Sequence, residues 1–193
     1  MRIYLPDQER ILPKHLERIK TIPVLPYQID RLKHKVSSIL VPSPAGSHSL
    51  RYDSFFNYDI FPVSILQALT QWKSEGREMR VNDNIVQQAF LPPFGSLSVK
   101  IVMGVRIKEI FDTDERKGFS YETLQGHIER GISYFIIQRS NSQFTFTIET
   151  FSEPAIPLFR VFNPISSLYQ DYCTGKALKH TTDHLAKGSA ANF

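Results

Sequence analysis

The stretch Gly118–Pro154 reads GFSYETLQGHIERGISYFIIQRSNSQFTFTIETFSEP, and it decides the fold because it predicts three consecutive β-strands. The connecting segments, QGHIERG and RSNSQ, carry the glycine, serine and asparagine typical of tight hairpins. The large side chains of each strand are predicted to share one face: Phe119, Tyr121 and Thr123, then Ile132, Tyr134 and Ile136, then Phe144, Phe146 and Ile148. The stretch therefore predicts a run of antiparallel strands around which the rest of the chain packs.

The segment before this stretch supplies the clearest strand pattern in the chain. Over residues 97–111, one face carries Leu97, Val99, Ile101, Met103, Val105 and Ile107. The other face carries Ser98, Lys100, Arg106 and Lys108, with Val102 and Gly104 as exceptions. This alternation favours an antiparallel sheet with one face buried and one face in water. Residues 79–92 predict another strand, broken near residues 82–84.

Helical spacing appears at both ends of the chain and once between them. Residues 156–186 predict a long C-terminal helix whose core-facing stripe is Leu158, Val161, Ile165, Leu168 and Tyr172. A short strand at residues 54–60 is predicted to lead, through Pro62, into a helix that ends at Gly76, with Trp72 as a packed anchor. Residues 7–20 and 27–40 predict two further helices.

Composition excludes several classes of protein. The 193 residues are 41% hydrophobic and 22% charged, which is typical of a soluble globular protein. The single cysteine, Cys173, excludes an internal disulfide framework and a cysteine-rich metal site. The N-terminal residues lack the apolar core of a secretory signal, and no apolar run approaches the ~18 residues of a membrane span. We therefore expect a cytoplasmic protein.

The net charge of +4 lies wholly within residues 1–40, and the remainder of the chain is neutral. A basic segment can bind nucleic acid or an anionic membrane surface. Here four acidic residues interrupt it and few aromatic residues accompany it, so we expect a solvated helical face and no nucleic-acid partner.

The order of elements predicts an α+β protein in which a curved antiparallel sheet of six to seven strands wraps around the C-terminal helix. Residues 51–187 would form this domain, residues 1–50 an N-terminal helical extension packed on it, and residues 188–193 a disordered tail. A sheet of this kind closes imperfectly on its helix and commonly leaves an internal cavity.

The segments FSYETLQGHIERG and FTIETFSEP resemble the domain-of-unknown-function nineteen-ninety family, within the helix-grip superfamily of START domains and birch-pollen allergens. The positions that match the family pattern are Phe119, Tyr121, Thr123, Leu124, Gly126, His127, Glu129, Gly131, Phe151, Ser152 and Pro154. The resemblance covers about residues 52–185 and implies a helix-grip fold, but no reaction. Glu122 stands where the family usually has glycine, and Ile132 where glutamate is frequent.

The first hairpin of the stretch carries the candidate catalytic residues His127, Glu129 and Tyr121. A carboxylate beside a histidine holds its tautomer and raises its pKa, which suits acid–base chemistry. The alternative is that the imidazole bonds backbone groups and closes the hairpin. Tyr121 and Thr123 would place hydroxyls at the mouth of an apolar cavity, or would pack across strands. The candidate ligand-binding residues are Tyr121, Thr123, His127, Met103, Tyr134 and Phe146.

Two further features carry reactive side chains. His180 and His184 lie one helical turn apart, a spacing that can bind a metal, but a solvated helix face is the favoured interpretation and no metal is expected. Cys173 has no basic neighbour that would make a thiolate, so we interpret it as packing. Glycine-rich phosphate loops are missing, and no cofactor is expected.

Three functional hypotheses follow from these observations. The first is a protein that binds a hydrophobic or amphipathic small molecule between the sheet and the C-terminal helix. The second is a metal-independent acid–base enzyme, related to cyclases and hydratases, in which His127 shuttles protons, Glu129 orients it and Tyr121 donates to a substrate oxygen. The second requires His127 to face the cavity. The third is an interaction protein that docks on an anionic partner through residues 1–50.

Overall fold

A computed structural model of the chain describes residues 2–42, 50–91, 98–141, 143–155 and 163–187, with the side chains of residues 169–186 in the last range. The helices and strands, in chain order, are β1 (Arg2–Tyr4), α1 (Leu12–Ile19), β2 (Lys33–Val41), α2 (Asp53–Phe56), β3 (Leu66–Thr70), α3 (Gln71–Ser74), β4 (Asn84–Leu91), β5 (Val99–Asp112), β6 (Arg116–Thr123), β7 (Glu129–Ser140), β8 (Gln143–Pro154) and α4 (Asn163–Lys187). Among the described helices, none combines the length and the apolar character that crossing a membrane requires.

Eight strands of the described chain form one antiparallel sheet. Seven of them follow the order β2-β8-β7-β6-β5-β4-β3, and β1 pairs with the first half of β5. The strands predicted over residues 79–92, 97–111 and 118–154 are confirmed as β4 to β8. The α+β class, with an antiparallel sheet and a long C-terminal helix, is therefore confirmed.

The register of β7 corrects its predicted face. Phe119 of β6 lies opposite Phe135 of β7, and both are fully buried in the main core. Ile132, Tyr134 and Ile136 consequently point to the other face, which we call the outer face. Ile132 and Ile136 are nevertheless buried. Because both faces of β7 are covered, its apolar residues show no alternation that could tell one face from the other.

Helix α1 covers the outer face of the sheet, so the prediction of one face in water is wrong at the centre of β5. Its apolar side chains pack in a second core cluster that consists of Leu12, Leu16, Ile19, Val86, Val102 and Leu124. This cluster explains the two exceptions in the alternation of β5. Val102 is buried in it, and a Cβ atom at Gly104 would lie 2.9 Å from Ile19 Cδ1 and 3.0 Å from Leu124 Cδ1. A larger residue at this position would therefore require the Ile19 and Leu124 side chains to shift.

The helix predicted over residues 27–40 is wrong, because residues 33–41 form the edge strand β2. It pairs with β8 from Lys33 opposite Ser152 to Val41 opposite Phe144. Apolar residues lie on both faces of this edge, with Val36 and Leu40 among those exposed. Their spacing therefore imitates a helix. The helix predicted at residues 7–20 is confirmed by α1 and the turn before it.

The elements predicted around Pro62 are exchanged in the structure. Residues 53–56 form the short helix α2 where a strand is predicted, and residues 66–70 form β3 where a helix is predicted. Trp72 is a packed anchor as predicted, since its ring is buried and its Nε1–H donates to the carbonyl oxygen of Phe56 at 3.0 Å. Elements of four or five residues are too short for periodicity to distinguish a helix from a strand.

Helix α4 packs on β2, β8 and α2. Ala177, Leu178 and Leu185 face the main core, whereas Tyr172 is 48% exposed, so the predicted stripe is wrong at Tyr172. Leu158, Val161 and the tail at 188–193 lie outside the described residues, as do the side chains of Ile165 and Leu168. The fully buried aromatic side chains of the main core are Phe55, Trp72, Phe119, Phe135 and Phe146.

Candidate functional site

A cavity of about 500 Å³ lies between α4 and the strands β2, β7 and β8. Its apolar wall consists of Phe61, Phe135 and Ile148. Its polar wall includes Tyr121, Glu129, Ser133, Thr150 and Ser152, while α4 contributes Gln170, Asp171, Cys173 and Thr174. The strands present these side chains because alternate residues of an antiparallel sheet share one face.

Glu129 is one of three acidic residues that border the cavity, together with Glu153 and Asp171. Glu129 is the first residue of β7, and its carboxyl accepts a hydrogen bond from the Gln170 side-chain amide of α4 and another from the Ser152 side chain. Burial raises the pKa of Glu129 from its ordinary value of 4.5 to about 7, because desolvation disfavours the charged form. Near neutral pH, Glu129 can therefore either donate or accept a proton.

Tyr121 presents a second hydrogen-bonding group to the cavity. Its hydroxyl bonds the side chains of Tyr58 and Ser133, and Tyr58 in turn accepts a hydrogen bond of 2.6 Å from the Gln87 amide. Burial raises the pKa of both tyrosines, so both keep their protons. The network fixes the direction of the Tyr121 hydroxyl and leaves it neutral.

His127 does not line the cavity in the structure, although the sequence makes it the leading candidate. The imidazole is buried, and its Nδ1 accepts a hydrogen bond of 3.0 Å from the backbone N–H of Glu129. Burial lowers the pKa of His127 to about 4, so the ring is neutral. The contact with Glu129 is with its backbone and not with its carboxylate. This arrangement matches the hairpin-closing alternative and does not meet the condition for a proton shuttle.

Four other predicted ligand-binding residues lie away from this cavity. Thr123 Oγ1 accepts a hydrogen bond of 3.1 Å from the N–H of Gly131 and joins β6 to β7. Met103 borders a smaller cavity of about 70 Å³ beneath α1. Tyr134 lies on the outer face, and Phe146 is fully buried within the core. Of the predicted site residues, the structure brings Tyr121 and Glu129 together in the cavity.

Sequence reasoning missed Ser133, Ser152 and Gln170. Ser133 lies opposite Tyr121 in β6 and opposite Thr150 in β8, so the strand register is the signal that would have found it. Ser152 stands in the family pattern, but the pattern implies no role for it. Gln170 depends on how α4 docks, which no local pattern reports.

Glu122 lies on the outer face of the sheet and is half-buried. Its carboxylate accepts a hydrogen bond of 2.6 Å from the Tyr27 hydroxyl and pairs with Lys108 at 2.8 Å. This glutamate therefore fastens the segment after α1 to the sheet at a position where the resembled family usually has glycine. Desolvation of the Tyr27 hydroxyl, together with its hydrogen bond to Glu122, raises the pKa of Tyr27 to about 12.

Paired charges surround the entrance to the cavity. Lys35 of β2 forms an ion pair with Asp171 of α4, and Arg130 pairs with Glu153 at 2.9 Å. The Lys35–Asp171 pair links the edge strand to the helix across the opening. Docking of residues 1–50 on an anionic partner stays a prediction.

Two solved structures that resemble this chain are far removed from it in sequence. A protein from Arthrobacter aurescens, solved by NMR, has a TM-score of 0.50 and 9% identity, with 89% of this chain and 95% of that chain covered. A hypothetical protein from Helicobacter pylori has a TM-score of 0.49 and 8% identity, with 81% and 88% covered. The likeness to the Arthrobacter protein concerns the fold alone.

A closer relative is recognised by sequence. A UPF0548 protein of Deinococcus radiodurans is 35% identical over 65 residues, which are 33% of this chain and 33% of that protein. The match thus spans about a third of the relative's length. Residues 53–180, about two thirds of the chain, match the family described as "Domain of unknown function (DUF1990)". The chain belongs to this family.

Proposed function

We propose that the protein binds a small amphipathic molecule in the cavity between α4 and the strands β2, β7 and β8. The observation that carries the proposal is the composition of the cavity wall, which sets Phe61, Phe135 and Ile148 against the carboxyl of Glu129 and the hydroxyl of Tyr121. Small-molecule sites are mostly apolar with a few convergent polar groups that orient the ligand.

The size of the cavity limits the ligand. About 500 Å³ falls within the range of small-molecule pockets, which is roughly 300–1,000 Å³. Beyond Phe135 the interior is filled, because Phe119 and Phe146 are fully buried and pack against other aromatic rings. The proposed ligand is therefore compact, because the described residues leave no room for a long lipid chain along the sheet.

The polar groups define what the ligand offers to the protein. Tyr121 keeps its proton, and Glu129 exchanges one near neutral pH. A hydroxyl or carbonyl oxygen on the ligand satisfies both groups without a buried charge, which would be costly. The expected ligand carries such a group at one end and an aromatic or branched apolar body at the other.

Native mass spectrometry of untagged protein tests the proposal, followed by solvent extraction of what is bound. Ser133→Leu adds an apolar side chain inside the cavity, and Ser38→Leu adds the same side chain at an exposed position of β2. We expect the wild type and Ser38→Leu to carry the same bound small molecule, and Ser133→Leu to lose it. Equal retention by all three proteins, or no bound species in any of them, contradicts the proposal.

A second candidate function is acid–base catalysis in the same cavity. The raised pKa of Glu129, in a cavity shared with the Tyr121 hydroxyl, favours it, because a general acid or base works best with a pKa near the working pH. Glu129 would transfer the proton and Tyr121 would bond a substrate oxygen.

Comparison of the ligands bound to wild type and Glu129→Gln tests this candidate. Catalysis of a hydratase type predicts that the two proteins hold species that differ by the mass of one water, because the variant accumulates substrate. Identical species in both proteins contradict it and leave the binding proposal intact.

We also propose that the chain belongs to the helix-grip superfamily. The packing of α4 on β2 and β8, at one end of an antiparallel sheet, supports it. An experimental structure in which α4 lies outside the concave face of the sheet would contradict it.

A further inference from the structure

Asp59, His180 and His184 form a cluster on the side of α4 near the turn after α2. One ligand atom from each residue lies within 4.8 Å of the others. His180 Nε2 is 2.8 Å from Asp59 Oδ1, and His184 Nε2 is 3.7 Å from Asp59 Oδ2. The cluster is about ten residues along α4 from Gln170, so it is separate from the cavity.

The backbone holds both sides of this cluster in place. α2 ends in a Schellman turn, in which the N–H of Tyr58 bonds the Phe55 carbonyl and the N–H of Asp59 bonds the Ser54 carbonyl at 2.9 Å. Tyr58 takes a φ of +64°, which a residue other than glycine rarely adopts. On the facing helix, the Thr181 hydroxyl donates to the Ile60 carbonyl at 3.3 Å. The turn thus fixes Asp59 opposite the two histidines.

A hydrogen bond prepares His184 as a ligand, whereas His180 Nε2 must release the proton that it donates to Asp59 before it can bind a metal. His184 Nδ1 lies 2.8 Å from the His180 carbonyl oxygen, and since a carbonyl only accepts, Nδ1 carries the proton. In the neutral ring, the lone pair of Nε2 then faces Asp59. Metal-binding histidines are characteristically oriented by this kind of bond from the other ring nitrogen to a carbonyl.

We propose that Asp59, His180 and His184 bind a divalent transition-metal cation of the zinc class. Two imidazole nitrogens and one carboxylate oxygen are ligands that Zn²⁺ accepts, and one coordination position remains for water. Without a cation, the Asp59 carboxylate and the Nε2 lone pair of His184 face each other as two hydrogen-bond acceptors. A cation between them would bond to both. The ion would tie the second half of α4 to the turn after α2.

Titration of untagged, chelator-treated protein with ZnCl₂ tests this inference by calorimetry. Co²⁺ provides a second readout, because its visible absorption reports ligand number and geometry. The variants are Asp59→Asn and His184→Gln, which keep side-chain size. The control is His34→Gln, because His34 Nε2 lies the same 2.8 Å from the Glu149 carboxylate but, among the described residues, His34 belongs to no group of three possible metal ligands.

We expect one Zn²⁺ per chain in the wild type and in His34→Gln, with a Co²⁺ absorption band in both. Either variant of the cluster should lose more than ~100-fold in affinity, because removal of an outer partner alone costs 10–100-fold. No binding by the wild type, or equal binding by Asp59→Asn and the wild type, overturns the inference. Circular dichroism shows whether each variant is folded. If a variant is unfolded, Zn²⁺ binding by the wild type alone still tests the inference.

Discussion

The two halves of the described α4 differ in what they face. Gln170, Cys173 and Thr174 border the cavity, whereas Ala177 and Leu185 are fully buried against the main core. The same helix therefore closes the sheet at one end and leaves it open at the other. The difference shows that the opening is not a general failure of packing.

The strands explain why the helix packs unequally. The second half of α4 belongs to the core cluster that contains Phe55 and Phe146, whose apolar surfaces can be covered completely. The first half faces Glu129, Ser133 and Thr150, whose polar atoms cannot be covered by apolar side chains without a cost. Polar residues at this end of the sheet therefore maintain the space.

The largest expected difference is in the stability that each half contributes. Leu185→Ala removes a fully buried side chain and should lower the free energy of unfolding by about 2–5 kcal/mol. Thr174→Ala, at the cavity, should lower it by about 1 kcal/mol or less. Urea denaturation of both variants measures the two values. Similar losses would mean that the two halves are equally packed.

Glu129 should make the stability of the protein depend on pH. Its pKa rises from 4.5 in the unfolded chain to about 7 in the folded protein, so the folded state holds the proton more tightly. The stabilisation is complete below pH 4.5 and is lost as the pH rises through 7, by up to about 3 kcal/mol.

Glu129→Gln tests this dependence, because glutamine keeps the shape and cannot ionise. We expect the variant to match the wild type near pH 4.5 and to be the more stable protein at pH 8. Denaturation at several pH values gives the difference. A stability difference that does not change with pH would contradict a raised pKa for Glu129 in the folded protein.

The Tyr58 hydroxyl should contribute less, because it is one neutral hydrogen-bonding group. Tyr58→Phe removes the hydroxyl that accepts a hydrogen bond from the Gln87 amide and should cost about 1–2 kcal/mol. Tyr172→Phe, at an exposed position of α4, is the matched control and should be neutral. Equal losses of stability in Tyr58→Phe and Tyr172→Phe would show that the hydrogen bonds between Tyr58, Tyr121 and Gln87 are not rigid.

The smallest effect on stability is expected at the entrance. The side chains of Lys35 and Asp171 are 42% and 53% exposed, so Lys35→Ala should change the free energy of unfolding by less than about 1 kcal/mol. The charge of Lys35 also lowers the pKa of Glu129, so its removal should move that pKa upward. An NMR titration of Glu129 in the variant measures the shift. An unchanged or lower pKa would contradict the position assigned to Lys35.

Strong local patterns predicted much of the fold. The strands over residues 97–111 and 118–154 follow from alternation and turn residues, and their positions are confirmed. Residues 33–41 and 66–70 were missed, because an edge strand and a five-residue strand show no distinctive period. The burial of Val102 and Gly104 by α1 depends on a contact between distant segments that no local window contains.

The candidate site was less predictable than the fold. Tyr121 and Glu129 were found because they stand in a recognisable hairpin, and both border the cavity. His127 was predicted because histidine suits acid–base chemistry, but its position in the hairpin makes its imidazole bond the backbone of Glu129. Asp59 could not be joined to His180 from the sequence, since they lie 121 positions apart and only the docking of α4 brings them together.

Carbon-13 NMR of the Glu129 side-chain carboxyl, titrated from pH 4 to 9 and assigned by Glu129→Gln, tests most directly whether a cavity with a buried acid exists at this end of α4. A midpoint near 7 is the result that the structure predicts. A midpoint near the ordinary value of 4.5 would show that water reaches the carboxyl freely, and it would contradict a cavity built around Glu129.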